Sequence, residues 1–120
     1  MRILVAEDQK DMNRLISRRL AEEQYSVDSC YNGQEVLDYL ECAEYDAIVL
    51  DIMMPVMDGL TATVKIRESS HPQAGSIPIL ALTANAFEED ISRCLAAGMN
   101  GHMAKPLDIH ALFQKMADFI

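Results

Sequence analysis

Short apolar runs alternate along this chain with stretches in which apolar positions recur at helical spacing. Ile3 to Ala6 is an apolar run that stops abruptly at Glu7-Asp8, as a buried strand does. From Lys10 onward, Met12, Leu15, Ile16 and Leu20 mark one face of an amphipathic helix. Tyr25 to Cys30 reads as a weaker second strand, and Asn32-Gly33 as a turn signal before a helix that turns Val36, Leu37 and Leu40 inward. Ala47-Ile48-Val49-Leu50 is continuously apolar, as expected of a strand covered on both faces. A helix is expected from Met57 to Glu68, then a polar loop with His71-Pro72 and Gly75. Ile77 to Leu82 forms the fourth strand, Pro78 keeping its first residues out of central pairing. Phe87, Ile91, Cys94 and Leu95 stripe a fourth helix that Gly98 closes. Asn100 to Ala104 is a short fifth strand. Asp108 caps a last helix with Ile109, Leu112, Phe113, Met116, Phe119 and Ile120 on one face. Strands and helices that alternate through short connections, with right-handed crossovers, give an α/β fold: a parallel sheet with helices on both faces.

The length of 120 residues fits a single domain over residues 1–120 with a sizeable core. Half of the residues are apolar, which excludes a disordered chain. No apolar run is long enough for a membrane span, and the N-terminus does not read as a signal peptide. Ten Lys+Arg against nineteen Asp+Glu leave a net charge of -9, which argues against direct nucleic-acid or anionic-membrane contact. Cys30, Cys42 and Cys94 are widely spaced and form no CxxC, so neither a disulfide scaffold nor a zinc site is expected. The expectation is a reduced, cytoplasmic domain.

In such a fold ligands bind beyond the carboxyl ends of the strands, where strand order reverses. Glu7 and Asp8 follow the first strand, Asp51 ends the third, Thr83 the fourth and Lys105 the fifth. Three clustered carboxylates repel one another unless a cation joins them. Oxygen-only ligands favour a hard ion, Mg²⁺ or Mn²⁺, over zinc. Such an ion beside a lysine attracts an anion, most naturally a phosphoryl group, and the set reads as phosphoryl transfer onto a carboxylate. Taken singly, Asp8 also suits a helix N-cap, Thr83 a strand end and Lys105 a solvated charge. Asp51 resists a bland reading, because an acid that ends an apolar strand costs burial energy unless it is solvated or paired. His102 reads as a partly buried strand residue, and the eight methionines as core filler.

With these residues in this order, the chain resembles the receiver (response-regulator) domains of two-component signalling over essentially its whole length. Glu7-Asp8 matches the family's metal-binding pair, Asp51 its phospho-accepting aspartate, and Met54-Pro55-Val56-Met57-Asp58-Gly59 the loop that follows. Thr83-Ala84 matches the switch hydroxyl and its small neighbour, and Lys105-Pro106 the phosphate-binding lysine and a proline that is cis in the family. Leu82-Thr83-Ala84-Asn85-Ala86 and Ala97-Gly98-Met99-Asn100-Gly101-His102 look most like receivers of hybrid sensor histidine kinases. The resemblance implies a (βα)5 doubly wound, flavodoxin-like sheet in order 2-1-3-4-5. It implies that Asp51 accepts a phosphoryl group from a phosphohistidine of a histidine kinase or histidine phosphotransfer domain. Asp8, Asp51 and the Met53 carbonyl would bind Mg²⁺, with Glu7 acting mostly through water. Lys105 and Thr83 would hold the phosphoryl oxygens, making Asp51, Lys105 and Thr83 the catalytic set. Asn85 and Met53 would flank the site, and Gln9 and Pro106-Leu107 lie near the usual kinase-docking surface. Such a domain catalyses its own phosphorylation and dephosphorylation without being a conventional enzyme, and it signals to an output domain or a dimer partner. His102 stands where the family often has a Tyr or Phe coupled to the switch, a departure that touches switching rather than phosphorylation.

The rival readings are separable. A haloacid-dehalogenase-like phosphatase needs a second Asp where this chain has Met53. A flavodoxin-like FMN carrier needs a phosphate loop where Glu7-Asp8-Gln9-Lys10-Asp11 stands, and a P-loop motif is absent. A receiver-like interaction module that is never phosphorylated remains the alternative, and a small-molecule phosphodonor separates the two.

Overall fold

The alternating pattern folds into β1 (Arg2–Ala6), α1 (Lys10–Glu22), β2 (Ser26–Cys30), α2 (Gly33–Cys42) and β3 (Ala47–Asp51). The second half adds α3 (Gly59–Glu68), β4 (Ile79–Thr83), α4 (Glu88–Ala97), β5 (Gly101–Ala104) and α5 (Ile109–Phe119). This is a computed structural model that describes residues 1–84, 88–105 and 108–119. The expectations placed on Asn85, Phe87, Pro106-Leu107 and Ile120 lie outside the described residues. The five strands are parallel and ordered β2-β1-β3-β4-β5. The chain leaves β1 for one edge and returns to β3 on the other side, so the direction of travel reverses between β1 and β3.

Successive strand residues point to opposite faces, and each face has its own core. Ile3, Val5, Val49, Leu80 and Leu82 pack under α1 and α5, against Ile16, Leu20, Leu112 and Met116. Leu4, Ile48, Leu50, Ile79 and Ala81 pack under α2, α3 and α4, against Val36, Leu40, Ile66 and Cys94. Every residue of β3 is buried, which is why that strand reads as unbroken apolar sequence.

Local chemistry moves several expected boundaries and faces. α3 starts at Gly59 rather than Met57, because Asp58 is its N-cap and its Oδ1 accepts from the Thr61 N–H at 2.7 Å. Asn32 likewise caps α2 through the Glu35 N–H, so Asn32-Gly33 is a helix start rather than a free turn. Leu15 is exposed, since the buried face of α1 runs through Asn13, Ile16 and Leu20. Leu95 is exposed on α4, and Phe119 is 39% exposed at the end of α5. Gly98 ends α4 with φ +110°, a left-handed conformation that suits glycine.

At the amino-terminal edge of the sheet, Tyr45 donates to Asp28 at 2.6 Å, with Arg2 3.4 Å from the same carboxylate. At the opposite edge, the Cys30 thiol is 1% exposed. Burial first, and then the charge of Glu35, push its pKa from 9.0 up to about 12. A group raised in the folded state contributes stability that is complete below the unfolded pKa and lost as pH rises through the folded one. Urea unfolding should therefore lose ~2–4 kcal/mol across that alkaline window. Cys30→Ala should flatten this part of the slope, and an unchanged slope would assign the loss to other groups.

Candidate functional site

The site sits at the carboxyl ends of β1 and β3, at the reversal point of the sheet, where an α/β fold leaves a crevice. Glu7 and Asp8 emerge directly from β1, and Asp51 is the last residue of β3. A carboxylate oxygen from each of Glu7, Asp8 and Asp51 lies within 4.8 Å of the others. Lys105 follows β5, its N–H donating to the Thr83 carbonyl at 2.7 Å. The lysine side chain reaches back across the sheet edge. Its Nζ lies 2.6 Å from Glu7 Oε1 and 2.8 Å from Asp51 Oδ2. The contact to Asp51 is an aligned hydrogen bond. The contact to Glu7 Oε1 is an ion pair off the hydrogen-bond direction, and this oxygen has no aligned partner among the described residues.

Burial sets the electrostatics. Glu7 is 0% and Asp51 1% exposed, so their charges depend on the neighbours rather than on bulk water. Asp51 Oδ1 accepts from the Met53 N–H at 3.0 Å, which leaves Oδ2 to the lysine. Glu7 Oε2 accepts from the Gln9 N–H at 3.0 Å. Gln9 is the N-cap of α1 and makes no side-chain cap of its own, so Asp8 is not spent on capping. The Asp8 carboxyl is held above its ordinary 3.8 first by partial burial and then by the adjacent Glu7 carboxylate. Burial alone would lower the Lys105 pKa, but Asp51 and Glu7 outweigh it and raise it. Three acids and one base thus share a small volume with a formal charge of -2.

One close approach and two hydrogen bonds fix the frame. A Cβ on Gly59 would collide with the Asp51 carbonyl oxygen, so the start of α3 rests directly on the backbone of that aspartate. The intervening loop is held by the Gly59 N–H to Ile52 carbonyl bond at 3.2 Å and the Gly33 N–H to Met57 carbonyl bond at 2.8 Å. Within it Val56 takes φ +67°, rare for a β-branched residue, and is 83% exposed.

The remaining expected residues fall around this cluster. Thr83 ends β4, is 0% exposed, and its hydroxyl has no hydrogen-bond partner among the described residues. His102 is half-buried on β5, paired in register with Ala81. The Met53 side chain is 70% exposed at the mouth of the site, not core filler. Sequence reasoning passed over Asn13, which is 1% exposed and donates to the Glu7 carbonyl at 3.0 Å and the Cys30 carbonyl at 2.8 Å. A polar residue in register with Ile16 and Leu20 was the available signal.

The sequence profile of the response regulator receiver domain family matches residues 3–117. The chain belongs to this family. Among its receiver relatives, the hybrid signal transduction histidine kinase I of Dictyostelium discoideum is 33% identical over 118 residues, covering 94% of this chain. The response regulator ArlR of Staphylococcus aureus is 35% identical over 114 residues, covering 95% of this chain. The chain spans only 7% of the length of the former and 50% of the latter. Among solved receivers, that of the sensor histidine kinase PA1611 from Pseudomonas aeruginosa is 36% identical with a TM-score of 0.89, covering 98% of this chain and 95% of that one. That domain carries a magnesium ion coordinated in its active-site cleft. No helix among the described residues is long and apolar enough to cross a membrane.

Proposed function

We propose that this chain is a single, cytoplasmic phosphoacceptor receiver domain of a two-component phosphorelay, in which Asp51 accepts a phosphoryl group from a phosphohistidine. The observation that carries the reading is Lys105 Nζ, 2.8 Å from Asp51 Oδ2, inside a cluster of three carboxylates, Glu7 and Asp51 buried and Asp8 half-buried, at the reversal point of the sheet. The three acids fit a hard divalent cation: all are oxygen donors, and their oxygens are close enough to share one ion. Glu7, Asp8, Asp51 and the Met53 carbonyl would hold Mg²⁺ or Mn²⁺. When bound, the cation supplies positive charge that draws in a phosphoryl group and offsets the charge on its oxygens.

The chain's own residues do the rest. A carboxylate oxygen of Asp51 forms the bond to phosphorus as the P–N bond of the phosphohistidine breaks. The imidazole leaves with the electron pair and takes a proton from solvent. Lys105, already beside Asp51, balances charge on the transferred oxygens. The buried Thr83 hydroxyl supplies the donor that a phosphoryl oxygen would engage, so that its pairing distinguishes the two states and biases the surface shown to partners. His102, on the neighbouring strand, takes part in that switch. The donor is a histidine kinase or histidine phosphotransfer domain, and the reader is an output domain or a second receiver.

The test is intact-mass spectrometry of the protein after incubation with acetyl phosphate. With Mg²⁺ it should gain the mass of one phosphoryl group, located on Asp51, and with a chelator it should gain none. No gain in the presence of Mg²⁺, or a label elsewhere, overturns the reading.

A further inference from the structure

The Glu7 carbonyl belongs to the peptide group that joins Glu7 to Asp8, the two acids that leave β1 for the site. Two strand-end contacts fix this segment. The Glu7 N–H donates to the Cys30 carbonyl at 3.1 Å, continuing the β1–β2 ladder by one step. The Glu7 carbonyl is then taken by Asn13 Nδ2 at 3.0 Å, and the same nitrogen donates to the Cys30 carbonyl at 2.8 Å. Both amide donors of a 1% exposed side chain are used on these two acceptors. Its oxygen is held as well, accepting from Ser17 Oγ at 3.2 Å, and Ser17 shares a 2.8 Å hydrogen bond with Ser29 on β2.

Packing alone does not call for this arrangement. Asn13 stands on the buried face of α1 with Ile16 and Leu20, where an apolar residue would serve the core and the helix better. A position that breaks the local pattern while satisfying every polar atom marks a constraint other than burial. Here the constraint acts on one peptide plane, whose orientation aims the side chains on either side of it.

We propose that Asn13 is a positioning residue for the cation site: it sets the Glu7–Asp8 peptide so that both carboxylates face Asp51 within reach of one ion. This rests on the reading of Glu7, Asp8 and Asp51 as metal ligands. Outer groups that orient ligands in this way change metal affinity by about 10–100-fold when removed.

Mn²⁺ is the probe, its binding followed by electron paramagnetic resonance and by calorimetry. Asn13→Ala should weaken Mn²⁺ by about tenfold or more. Tyr45→Phe, which breaks the hydrogen bond to Asp28 at the far edge of the sheet, should lower stability and leave the Mn²⁺ affinity unchanged. In the parent, Mg²⁺ should also shift the Asn13 side-chain amide resonances. If the parent binds Mn²⁺ and Asn13→Ala binds it equally well, the positioning role is wrong and the metal site stands. If the parent binds no Mn²⁺, both fall together. Should Asn13→Ala not fold, Ser17→Ala decides: it removes the partner of Asn13 Oδ1 and should weaken Mn²⁺ by about twofold or more. Parent-like Mn²⁺ affinity in a Ser17→Ala protein whose Asn13 side-chain amide has been displaced, or Asn13 amide resonances in the parent that do not respond to Mg²⁺, would overturn the proposal.

Discussion

Asp51→Asn should take up no phosphoryl group under conditions that label the parent fully. The amide nitrogen has its lone pair delocalised into the carbonyl, and the remaining oxygen carries no full negative charge, so no nucleophile is left at this position. The geometry makes the substitution a clean one. Asp51 receives two donors, the Met53 N–H on Oδ1 and Lys105 Nζ on Oδ2. An asparagine has one acceptor oxygen and can satisfy only one of them. That loss is offset by the removal of one of three crowded negative charges, so the melting temperature should stay close to that of the parent. A protein that folds normally and fails to label reports chemistry, not unfolding. Intact mass after acetyl phosphate and Mg²⁺, beside a melt followed by circular dichroism, reads both quantities. Equal labelling of parent and variant would place the nucleophile elsewhere.

Lys105→Met should cost the metal-free protein more stability than any exposed substitution. Lys105 is the cation that two almost fully buried carboxylates share. Removing one partner from a buried ion pair leaves uncompensated charge, typically at a cost of about 3–5 kcal/mol. The deficit should depend on pH in a definite sense. The Asp8 pKa already lies above 3.8, and Lys105 is one of the groups that hold it down. An acid with a raised folded pKa contributes stability that is present at low pH and lost as pH rises through that pKa. The variant should therefore be closest to the parent in acid and furthest from it near neutrality. Mg²⁺ provides the complementary measurement. If the site binds Mg²⁺ as proposed, with a dissociation constant on the order of 1 mM, about 10 mM ion should stabilise the parent by RT ln 11, roughly 1.4 kcal/mol. In Lys105→Met the ion no longer competes with an ammonium, so its stabilising effect should be larger. NaCl at matched ionic strength controls for screening. Equal shifts from Mg²⁺ and NaCl in both proteins would remove the metal site, and a variant as stable as the parent would remove the buried ion pair.

What could be read from the sequence depended on whether a residue's surroundings are local. β3 was legible because burial on both faces leaves no polar residue before Asp51. The site was legible as strand ends, since a parallel sheet with short connections brings those ends to one edge. The inner face of α1 departs from the apolar spacing at two positions, and for one reason. Apolar spacing favours Leu15 over Asn13, whereas the partners that allow Asn13 inside are the Glu7 and Cys30 carbonyls, supplied from two strands. Lys105 is legible as a residue of the site, but its direct ion pairing with Glu7 and Asp51 is not. It depends on the register that sets Ala104 beside Thr83 and thereby aims the next side chain across the sheet. The full burial of Glu7 is not legible for the same reason: its Oε2 is satisfied by the Gln9 N–H, which is brought there only by the turn into α1.

The loop after Asp51 carries a mechanical consequence. Val56, at φ +67° and open to solvent, has no packing of its own to favour that conformation. The conformation is held across Val56 itself by the Met57 N–H to Pro55 carbonyl hydrogen bond at 2.7 Å, and the loop around it is anchored where Gly59 is tied to Ile52 and Met57 to Gly33. A left-handed β-branched residue costs of order 1–3 kcal/mol. The segment therefore behaves as a preloaded clip: any displacement of its middle works against anchored ends that restore one shape. The preload is drawn from the melting temperature of the whole domain, and what it secures is a single, repeatable placement of the Met53 backbone and Asp51.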